Sequence, residues 1–272
     1  MTPPSTLWSI CPNGNVHGRK ILMTTGRLHD KVAVVTGSAR GIGASIAALF
    51  AAEGAQVVGL DRQPVHSAMN GALNLTADVT RPEQVAAAVE TTLTRFGRID
   101  VLVNNAGVNV FSTPLELTDS DWERCLDVDL KSSWIVAKAV LPQMLARGSG
   151  NIVNIASVHG HRIIPGSFPY PLAKHGLIGL TRALAIEYAA RGIRVNSISP
   201  GFILTAQAEE WLAAQPDPAQ ERRRQEALLP CKRLGTPEEV AYTALFLASD
   251  EARFINAADI LIDGGRTQLY HE

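Results

Sequence analysis

A tyrosine and a lysine four residues apart, with a serine upstream, are the residues of this chain best suited to proton transfer. They are Tyr170 and Lys174, in the stretch YPLAK, and Ser157. Because residues i and i+4 lie on one face of a helix, the phenol and the ammonium can share one site. The ammonium favours the phenolate and lowers the phenol pKa from its ordinary value of about 10. Ser157 would hold an oxygen whose proton Tyr170 takes, which is acid–base chemistry on an alcohol.

The first regular part of the chain predicts a site for a dinucleotide. Residues 31–37, KVAVVTG, have the apolar, β-branched composition of a buried strand, and residues 44–53 form an alanine-rich helical stretch. Between them, Gly37, Gly41 and Gly43 let the backbone turn tightly beneath a pyrophosphate, which the free N–H groups of a helix N-terminus attract. The spacing differs from the G-x-G-x-x-G fingerprint, so the prediction depends on the strand and helix around it.

An acidic residue ends the next predicted strand, residues 56–60. Asp61 follows the glycines by about twenty residues, where a carboxylate binds the ribose hydroxyls of NAD. The same carboxylate would repel the additional phosphate of NADP, so the sequence predicts a preference for NAD. Arg40 and Arg62 favour NADP instead, since either guanidinium could bind its 2′-phosphate.

Motifs in a fixed order make the chain resemble the short-chain dehydrogenase/reductases. These motifs are TGSARGIG at 36–43, Asp78-Val79, NNAG at 104–107, Ser157 with YPLAK at 170–174, and Pro200-Gly201. The resemblance runs from about residue 28 to about residue 266. It implies NAD(P)-dependent hydride transfer between an alcohol and a ketone. In this family Ser157 would bind the substrate oxygen, Tyr170 would act as acid and base, and Lys174 would hold the nicotinamide ribose.

The resemblance also implies which residues hold the cofactor. Asp78 and Val79 would flank the adenine, residues 104–107 would support the cofactor beyond the fourth strand, and Pro200 and Gly201 would border the nicotinamide. The complete predicted cofactor set is Gly37, Ser38, Arg40, Gly41, Ile42, Gly43, Asp61, Arg62, Asp78, Val79, Asn105, Ala106, Gly107, Tyr170, Lys174, Pro200, Gly201, Ile203 and Thr205.

Asp129 departs from the family pattern, which usually has an asparagine at this position. That asparagine helps to hold a water that links the lysine to solvent. An ionised carboxylate accepts hydrogen bonds but cannot donate them, and near Lys174 it would favour the ammonium. The predicted catalytic set is therefore Ser157, Tyr170, Lys174 and Asp129, with a working proton relay whose pH dependence is altered.

Hydrogen-bonding residues cluster around the predicted reaction site. The predicted substrate residues are Asn109, Ser157, His159, Arg162, Tyr170 and Trp211, with Phe111, His161 and Gln207 as further pocket residues. Such groups suit a hydroxyl-rich or acidic substrate, because a site that hydrogen-bonds hydroxyls rejects analogues that lack them. The stretch 159–176 and the tail 263–271 are similar to bacterial sugar and sugar-acid dehydrogenases of the family. Together they favour NAD-dependent oxidation of a sugar, a polyol or a sugar acid.

Two alternatives stay open on the sequence. A 3-oxoacyl thioester reductase of the same family would use the same Ser157, Tyr170 and Lys174, but it would prefer NADPH and need a basic patch for an acidic carrier protein. Asp61 and the near-neutral charge speak against it. A non-catalytic nucleotide-binding regulator on the same fold is the alternative from another class, and the intact catalytic set speaks against that.

The composition argues against nucleic-acid binding, a metal site and a membrane span. The 272 residues carry a net charge of −1 without a basic stripe, which argues against nucleic-acid binding. Three distant cysteines form no zinc or redox pattern, so we expect no metal site and a cytoplasmic location. No apolar run approaches the length of a membrane span. Because the family usually forms dimers or tetramers, we expect a homotetramer packed through residues 134–145 and 177–189.

Alternating strand and helix patterns predict one α/β domain over residues 28–272, a Rossmann-type doubly wound parallel sheet with helices on both faces. Residues 1–27 would be a flexible extension, and residues 202–232 a lid over the substrate. The later predicted elements are helix 81–96, strand 99–104, helix 119–146 with a bend at Pro142, strand 151–156, helix 170–191, strand 193–199, helix 241–248 and strand 259–263.

Overall fold

A computed structural model of the protein describes residues 26–64 and 72–270. The predicted extension, residues 1–27, therefore lies almost wholly outside the described residues. The strands are β1 (Val32–Thr36), β2 (Gln56–Asp61), β3 (Leu73–Thr76), β4 (Val101–Asn104), β5 (Phe111–Ser112), β6 (Gly150–Ile155), β7 (Phe168–Pro169), β8 (Ile193–Pro200) and β9 (Asp259–Ile262). The helices are α1 (Gly41–Ala52), α2 (Pro82–Phe96), α3 (Asp119–Leu126), α4 (Ser132–Arg147), α5 (Tyr170–Tyr188), α6 (Ala206–Ala213), α7 (Pro218–Leu228) and α8 (Pro237–Ala248).

Seven of the described strands form one sheet, in the order β3-β2-β1-β4-β6-β8-β9. Every neighbouring pair in it is parallel. The chain first adds strands on one side of β1 and then on the other, and such a reversal opens a crevice beyond the carboxyl ends of the strands. β5 and β7 form a small antiparallel pair of their own. The predicted doubly wound α/β fold is confirmed.

Apolar side chains cover both faces of the sheet, as expected for parallel strands buried between helices. Alternate residues of β1 point to opposite faces, so Val35 packs in the cluster with Phe50 of α1, while Val34 packs in the cluster with Val89 of α2. All five residues of β1 are buried. This packing fixes the position at which β1 ends and the glycine turn begins. In the described part of the chain, no helix has both the length and the apolar composition needed to cross a lipid bilayer.

The edge strand β3 was not predicted. It has four residues, three of them only partly buried, and it pairs with β2 at the margin of the sheet. A short strand with one partner carries neither the long apolar run of a central strand nor a long alternating pattern, so its sequence gives a weak signal. The last helix also differs, because it begins at Pro237, where Thr236 and Glu239 form a capping box.

The helix predicted over residues 119–146 is two helices, α3 and α4, joined by a π-helical turn. The turn spans Asp127–Lys131, and Pro142 lies inside α4. The irregular hydrogen bonding therefore falls at the turn, upstream of the predicted bend. π-Helical turns occur often at functional sites, and this one carries Asp129.

Candidate active site

A crevice of about 1290 Å³ opens beyond the carboxyl ends of the parallel strands. It collects most of the side chains that the sequence selects. The predicted residues that line it are Gly37, Arg40, Gly41, Ile42, Asp61, Arg62, Val79, Asn105, Ala106, Gly107, Asn109, Phe111, Asp129, Ser157, His159, Arg162, Tyr170, Lys174, Pro200, Gly201, Ile203, Thr205, Gln207 and Trp211. Residues that lie far apart in sequence thus share one cavity.

Three residues of the predicted cofactor set do not line the crevice. Ser38 is fully buried. Gly43 packs beneath the turn, where an added Cβ would lie only 2.1 Å from the carbonyl oxygen of Gly37. The Asp78 carboxylate accepts hydrogen bonds from the backbone N–H of Thr80 at 2.9 Å and from its hydroxyl at 2.7 Å. These three residues shape the turns that border the crevice.

Two further predicted residues take part in hydrogen bonds away from the crevice. The His161 ring Nε2 lies 2.7 Å from the Asp259 carboxylate at the edge of the sheet. Asn104 is buried and donates to the side-chain oxygen of Asn154 at 2.8 Å, joining β4 to β6. Of the histidines predicted as pocket residues, His159 lines the crevice and His161 does not.

The turn between β1 and α1 has the properties of a phosphate cradle. Gly37 has φ +65°, the left-handed region, and an added Cβ would lie 2.9 Å from the Cα of Ala106. Within the described residues, no side chain caps the N-terminus of α1, and its first turn contains no acidic residue. Its first N–H groups and its positive dipole therefore face the crevice without a compensating anion. The residues present fit a bound pyrophosphate.

Asp61 lies at the end of β2, on the rim of the same turn. One carboxylate oxygen accepts the backbone N–H of Ala39 at 3.0 Å, and the other accepts that of Gln63 at 2.9 Å. A carboxylate offers about four lone-pair positions, so each oxygen retains room for a ligand hydroxyl. Arg40 and Arg62 line the crevice at this same end.

Ser157, Tyr170 and Lys174 meet at the carboxyl end of β6. Ser157 follows β6, and its oxygen accepts the backbone N–H of His159 at 3.1 Å. Tyr170 is the first residue of α5, and Lys174 lies one turn later on the same face. The Lys174 Nζ lies 5.4 Å from the centre of the Tyr170 ring and donates to the carbonyl of Ile155 at 3.2 Å. The helical spacing and the strand end thus bring hydroxyl, phenol and ammonium together, as the sequence predicts.

Asp129 is fully buried behind these three residues. Its Oδ1 lies 3.3 Å from the Nζ of Lys174 and accepts the backbone N–H of Val108 at 3.2 Å. Its Oδ2 lies 3.8 Å from the Sγ of Cys125, within reach of the thiol proton. The π-helical turn directs the carboxylate at these three donors. In place of an amide that both donates and accepts, the site contains a buried ion pair.

The charges in this cluster oppose one another. Burial raises the pKa of the Tyr170 phenol; the cation of Lys174 opposes that rise, and the anion of Asp129 adds to it. Burial alone would lower the pKa of Lys174, but Tyr170 and Asp129 outweigh it and raise that pKa. Burial also raises the pKa of Asp129, against the effect of Lys174. Lys174 therefore lowers the pKa of Tyr170 as expected, but burial and Asp129 outweigh it, and the net direction is upward.

Aromatic rings surround the phenol. Phe111 packs edge-on against Tyr170 with 5.3 Å between ring centres, and His159 packs similarly at 5.8 Å. Burial lowers the pKa of His159, although the backbone of Arg162 opposes this. Among the described residues, none hydrogen-bonds the buried Nδ1 of His159. The imidazole packs beside the reacting phenol, and burial disfavours its charged form.

Sequence reasoning missed several lining residues. The polar ones are Gln63, Gln225 on α7, and Arg266 and Thr267, which follow β9. Leu269, three residues after Arg266, lines the crevice too, so the tail after Gly265 reaches the active site of its own chain. The double glycine before Arg266 was an available signal for a turn at a strand end, whereas nothing in the polar sequence of α7 distinguishes Gln225 from its neighbours.

Comparison with known proteins agrees with this geometry. The family model described as "Enoyl-(Acyl carrier protein) reductase" matches residues 37–267. Oxidoreductase UcpA of Escherichia coli (strain K12) is 41% identical over 254 residues, which cover 89% of this chain and 96% of that protein. The chain belongs to the short-chain dehydrogenase/reductase family. It is an oxidoreductase, and members of this family use nicotinamide cofactors.

Other members of the short-chain dehydrogenase/reductase family that are similar to this chain differ in their named substrates. The 3-oxoacyl-[acyl-carrier-protein] reductase FabG of Thermotoga maritima is 40% identical over 250 residues, covering 88% of this chain and 98% of that protein. Glucose 1-dehydrogenase 2 of Bacillus subtilis is 39% identical over 254 residues, covering 88% and 96%. The ligand-free structure of the aldohexose dehydrogenase of Thermoplasma acidophilum superposes with a TM-score of 0.86 at 33% identity, covering 90% of this chain and 97% of that one.

Proposed function

We propose that this short-chain dehydrogenase/reductase oxidises a secondary hydroxyl of a sugar, a polyol or a sugar acid, with NAD as the hydride acceptor. The observation that carries the proposal is the meeting of Ser157, Tyr170 and Lys174 in the crevice that also holds the glycine turn. Ser157 holds the substrate oxygen, and Tyr170, as the phenolate, takes its proton. The electron pair of the adjacent C–H bond leaves with its hydrogen, and the alcohol carbon becomes a carbonyl. When bound, NAD supplies the carbon that accepts this hydride.

The lining of the crevice supports a hydroxyl-rich substrate. Asn109, His159, Gln207 and Gln225 offer amides and an imidazole around the reaction site. A site built from such groups leaves them unpaired when an apolar substrate binds, which costs affinity. Two of the similar proteins, by name, act on glucose and on aldohexoses.

A substrate panel tests the proposed function directly. The purified protein is assayed with NAD and with NADP against aldoses, polyols, aldonates and a 3-oxoacyl thioester. The formation or loss of the reduced nicotinamide is followed by its absorbance. We expect turnover of at least one polyhydroxylated compound with NAD. Turnover of the thioester alone, with NADPH, would support the rival reductase, which similarity to FabG favours.

Asp61 supports the preference for NAD, and its replacement tests it. In Asp61→Asn, the amide oxygen can still accept the N–H of Ala39, whereas the hydrogen bond from the N–H of Gln63 is lost. The negative charge is lost, and with it the repulsion of a 2′-phosphate. We expect the ratio of kcat/KM with NAD to that with NADP to fall about tenfold. Glu90→Gln, a change of the same kind on the exposed side of α2, is the matched control. A wild-type protein that already prefers NADP would contradict the assignment.

Asp129 supplies the pH dependence. Oxidation needs the Tyr170 phenolate, so activity is lost as the pH falls through the pKa of Tyr170. Asp129 raises that pKa, and Asp129→Asn removes the charge that does so. The acid limb of the kcat/KM profile should therefore move to lower pH, with a rate about tenfold above wild type on that limb. Asp127→Asn, on the same turn but in an exposed pair with Lys131, is the control. If the acid limb of Asp129→Asn stays at the wild-type pH or moves to higher pH, Asp129 does not have this role.

The proposal includes a lid, an assembly and a location. Residues 202–232, which contain α6 and α7, cover the crevice through Trp211 and Gln225 and would close over the substrate. A homotetramer is supported by Trp134 on α4 and Ile186 on α5, apolar side chains that are 45% and 73% exposed. Sedimentation equilibrium would measure the mass of the assembly.

The proposed cytoplasmic location is supported by Cys125 and Cys231, which are free thiols.

A further inference from the structure

Arg162 is an arginine without an ion-pair partner beside the reaction site. It lies in the loop between β6 and β7, where its backbone N–H donates to the carbonyl of Val158 at 2.9 Å. Its side chain is exposed and lines the same crevice as Ser157 and Tyr170. None of the residues in 26–64 and 72–270 forms an ion pair or a hydrogen bond with its guanidinium. An arginine in this position offers a planar fork of donors to whatever enters the crevice.

The surrounding half of the crevice contains no competing anion. The described residues that line this half follow β6, β8 and β9, and none of these lining residues is an Asp or a Glu. Asp61 lies at the far end, on β2, and Asp129 is buried against Lys174. Arg266 lines this half as well.

Asp259 and Asp263, at the start and just after the end of β9, already accept hydrogen bonds. Asp259 accepts hydrogen bonds from the hydroxyls of Ser197 at 2.5 Å and Ser199 at 3.0 Å, and His161 contacts its other oxygen. Asp263 accepts the backbone N–H groups of Gly265 and Thr267. Neither carboxylate lines the crevice, and neither forms an ion pair with Arg162. The guanidinium can therefore pair with an anionic ligand.

We propose that Arg162 binds a carboxylate of the substrate, so that the enzyme acts on sugar acids in preference to neutral sugars and polyols. The inference rests on the proposed function, since it names which of the hydroxylated substrates the crevice selects. The guanidinium fork matches a carboxylate with two parallel hydrogen bonds. Ile163 and Ile164, which follow Arg162, are exposed apolar side chains that also line the crevice. His159, two residues after Ser157, lies beside the Tyr170 ring and would hydrogen-bond a hydroxyl next to the reacting carbon.

The test compares matched substrates in matched variants. Wild type, Arg162→Gln and Arg162→Lys are assayed with NAD on gluconate and on a polyol of the same carbon number. In wild type we expect the higher kcat/KM with the aldonate. In Arg162→Gln the ratio of kcat/KM for aldonate to that for polyol should fall about 10- to 100-fold, mainly through KM, since this contact forms equally in ground and transition states. Arg162→Lys should recover part of the ratio, because it keeps the charge and loses the fork.

Two controls separate loss of the Arg162–carboxylate contact from a nonspecific effect of the substitution on the protein. Arg223→Gln removes an exposed arginine of α7 that does not line the crevice, and its ratio should equal that of wild type. A sugar phosphate serves as the second anionic probe, and a preference for it over the aldonate would assign Arg162 to phosphate and overturn the carboxylate proposal.

Failure of this inference is distinguishable from failure of the proposed function. Turnover of neutral sugars or polyols with a ratio that Arg162→Gln leaves unchanged overturns the carboxylate site while the proposed function stands. Turnover of the 3-oxoacyl thioester alone overturns both. If no compound of the panel is turned over, calorimetric titration of gluconate into the protein with NAD decides, because binding that Arg162→Gln abolishes supports the site and absence of binding to wild type overturns it.

Discussion

Tyr170→Phe should lower kcat about 1,000-fold, a loss typical of removing a positioned acid–base group. The variant deletes one oxygen and retains the ring that packs against Phe111 and His159. Without the phenolate, the proton that Ser157 positions loses its acceptor. The measurement is kcat on the best substrate of the panel, together with a calorimetric Kd for NAD. The Kd should stay within about twofold of wild type, because the glycine turn and Asp61 are untouched.

Tyr188→Phe provides the matched control for this variant. Tyr188 is the last residue of α5, packed in the cluster against α2 and α4 and absent from the crevice lining. It should keep wild-type kcat. If Tyr170→Phe retains more than a tenth of kcat, Tyr170 is not the acid–base group. If wild type binds NAD but turns over no alcohol or carbonyl compound, the non-catalytic regulator becomes the better description.

Features of the fold that depend on local sequence could be predicted. The glycine turn follows from the change of pattern between residues 31–37 and 44–53, because a buried strand, a flexible turn and a helix are each encoded by consecutive residues. The pairing of Tyr170 with Lys174 follows from the helix repeat alone. The crevice then follows from topology, since parallel strands present their carboxyl ends on one edge.

Features that depend on contacts between distant segments could not be predicted. Lys174 lowers the pKa of Tyr170, as the sequence predicts, but burial, which no local pattern reports, raises that pKa together with Asp129. The π-helical turn at Asp127–Lys131 directs Asp129 toward a thiol one helical turn earlier and toward Val108 on another segment. His161 and His159 are two residues apart and of the same type, and only the partner Asp259 decides that one of them leaves the crevice.

Removal of Lys174 alone should lower both stability and rate, because it leaves the buried Asp129 carboxylate without its cation and the Tyr170 phenol without the charge that favours its phenolate. The two side chains are 5% and 0% exposed, so neither charge is solvated in the folded protein. In Lys174→Met, the Asp129 carboxylate stays buried with the N–H of Val108 and the thiol of Cys125 as its donors. Breaking a buried pair by removing one partner costs about 3–5 kcal/mol. The same change removes the cation that favours the Tyr170 phenolate, so kcat should fall at least 100-fold.

The double variant Lys174→Met, Asp129→Asn separates these two effects. With both charges removed, no uncompensated ion remains, so most of the lost free energy of unfolding should return, measured by urea denaturation at neutral pH. The activity should not return, because the phenol still lacks a cation. Lys131→Met breaks the exposed pair with Asp127 and should cost less than about 1 kcal/mol, which calibrates the comparison. A double variant as unstable as Lys174→Met would mean that the lysine contributes through packing, and a double variant with wild-type kcat would remove Lys174 from the chemistry altogether.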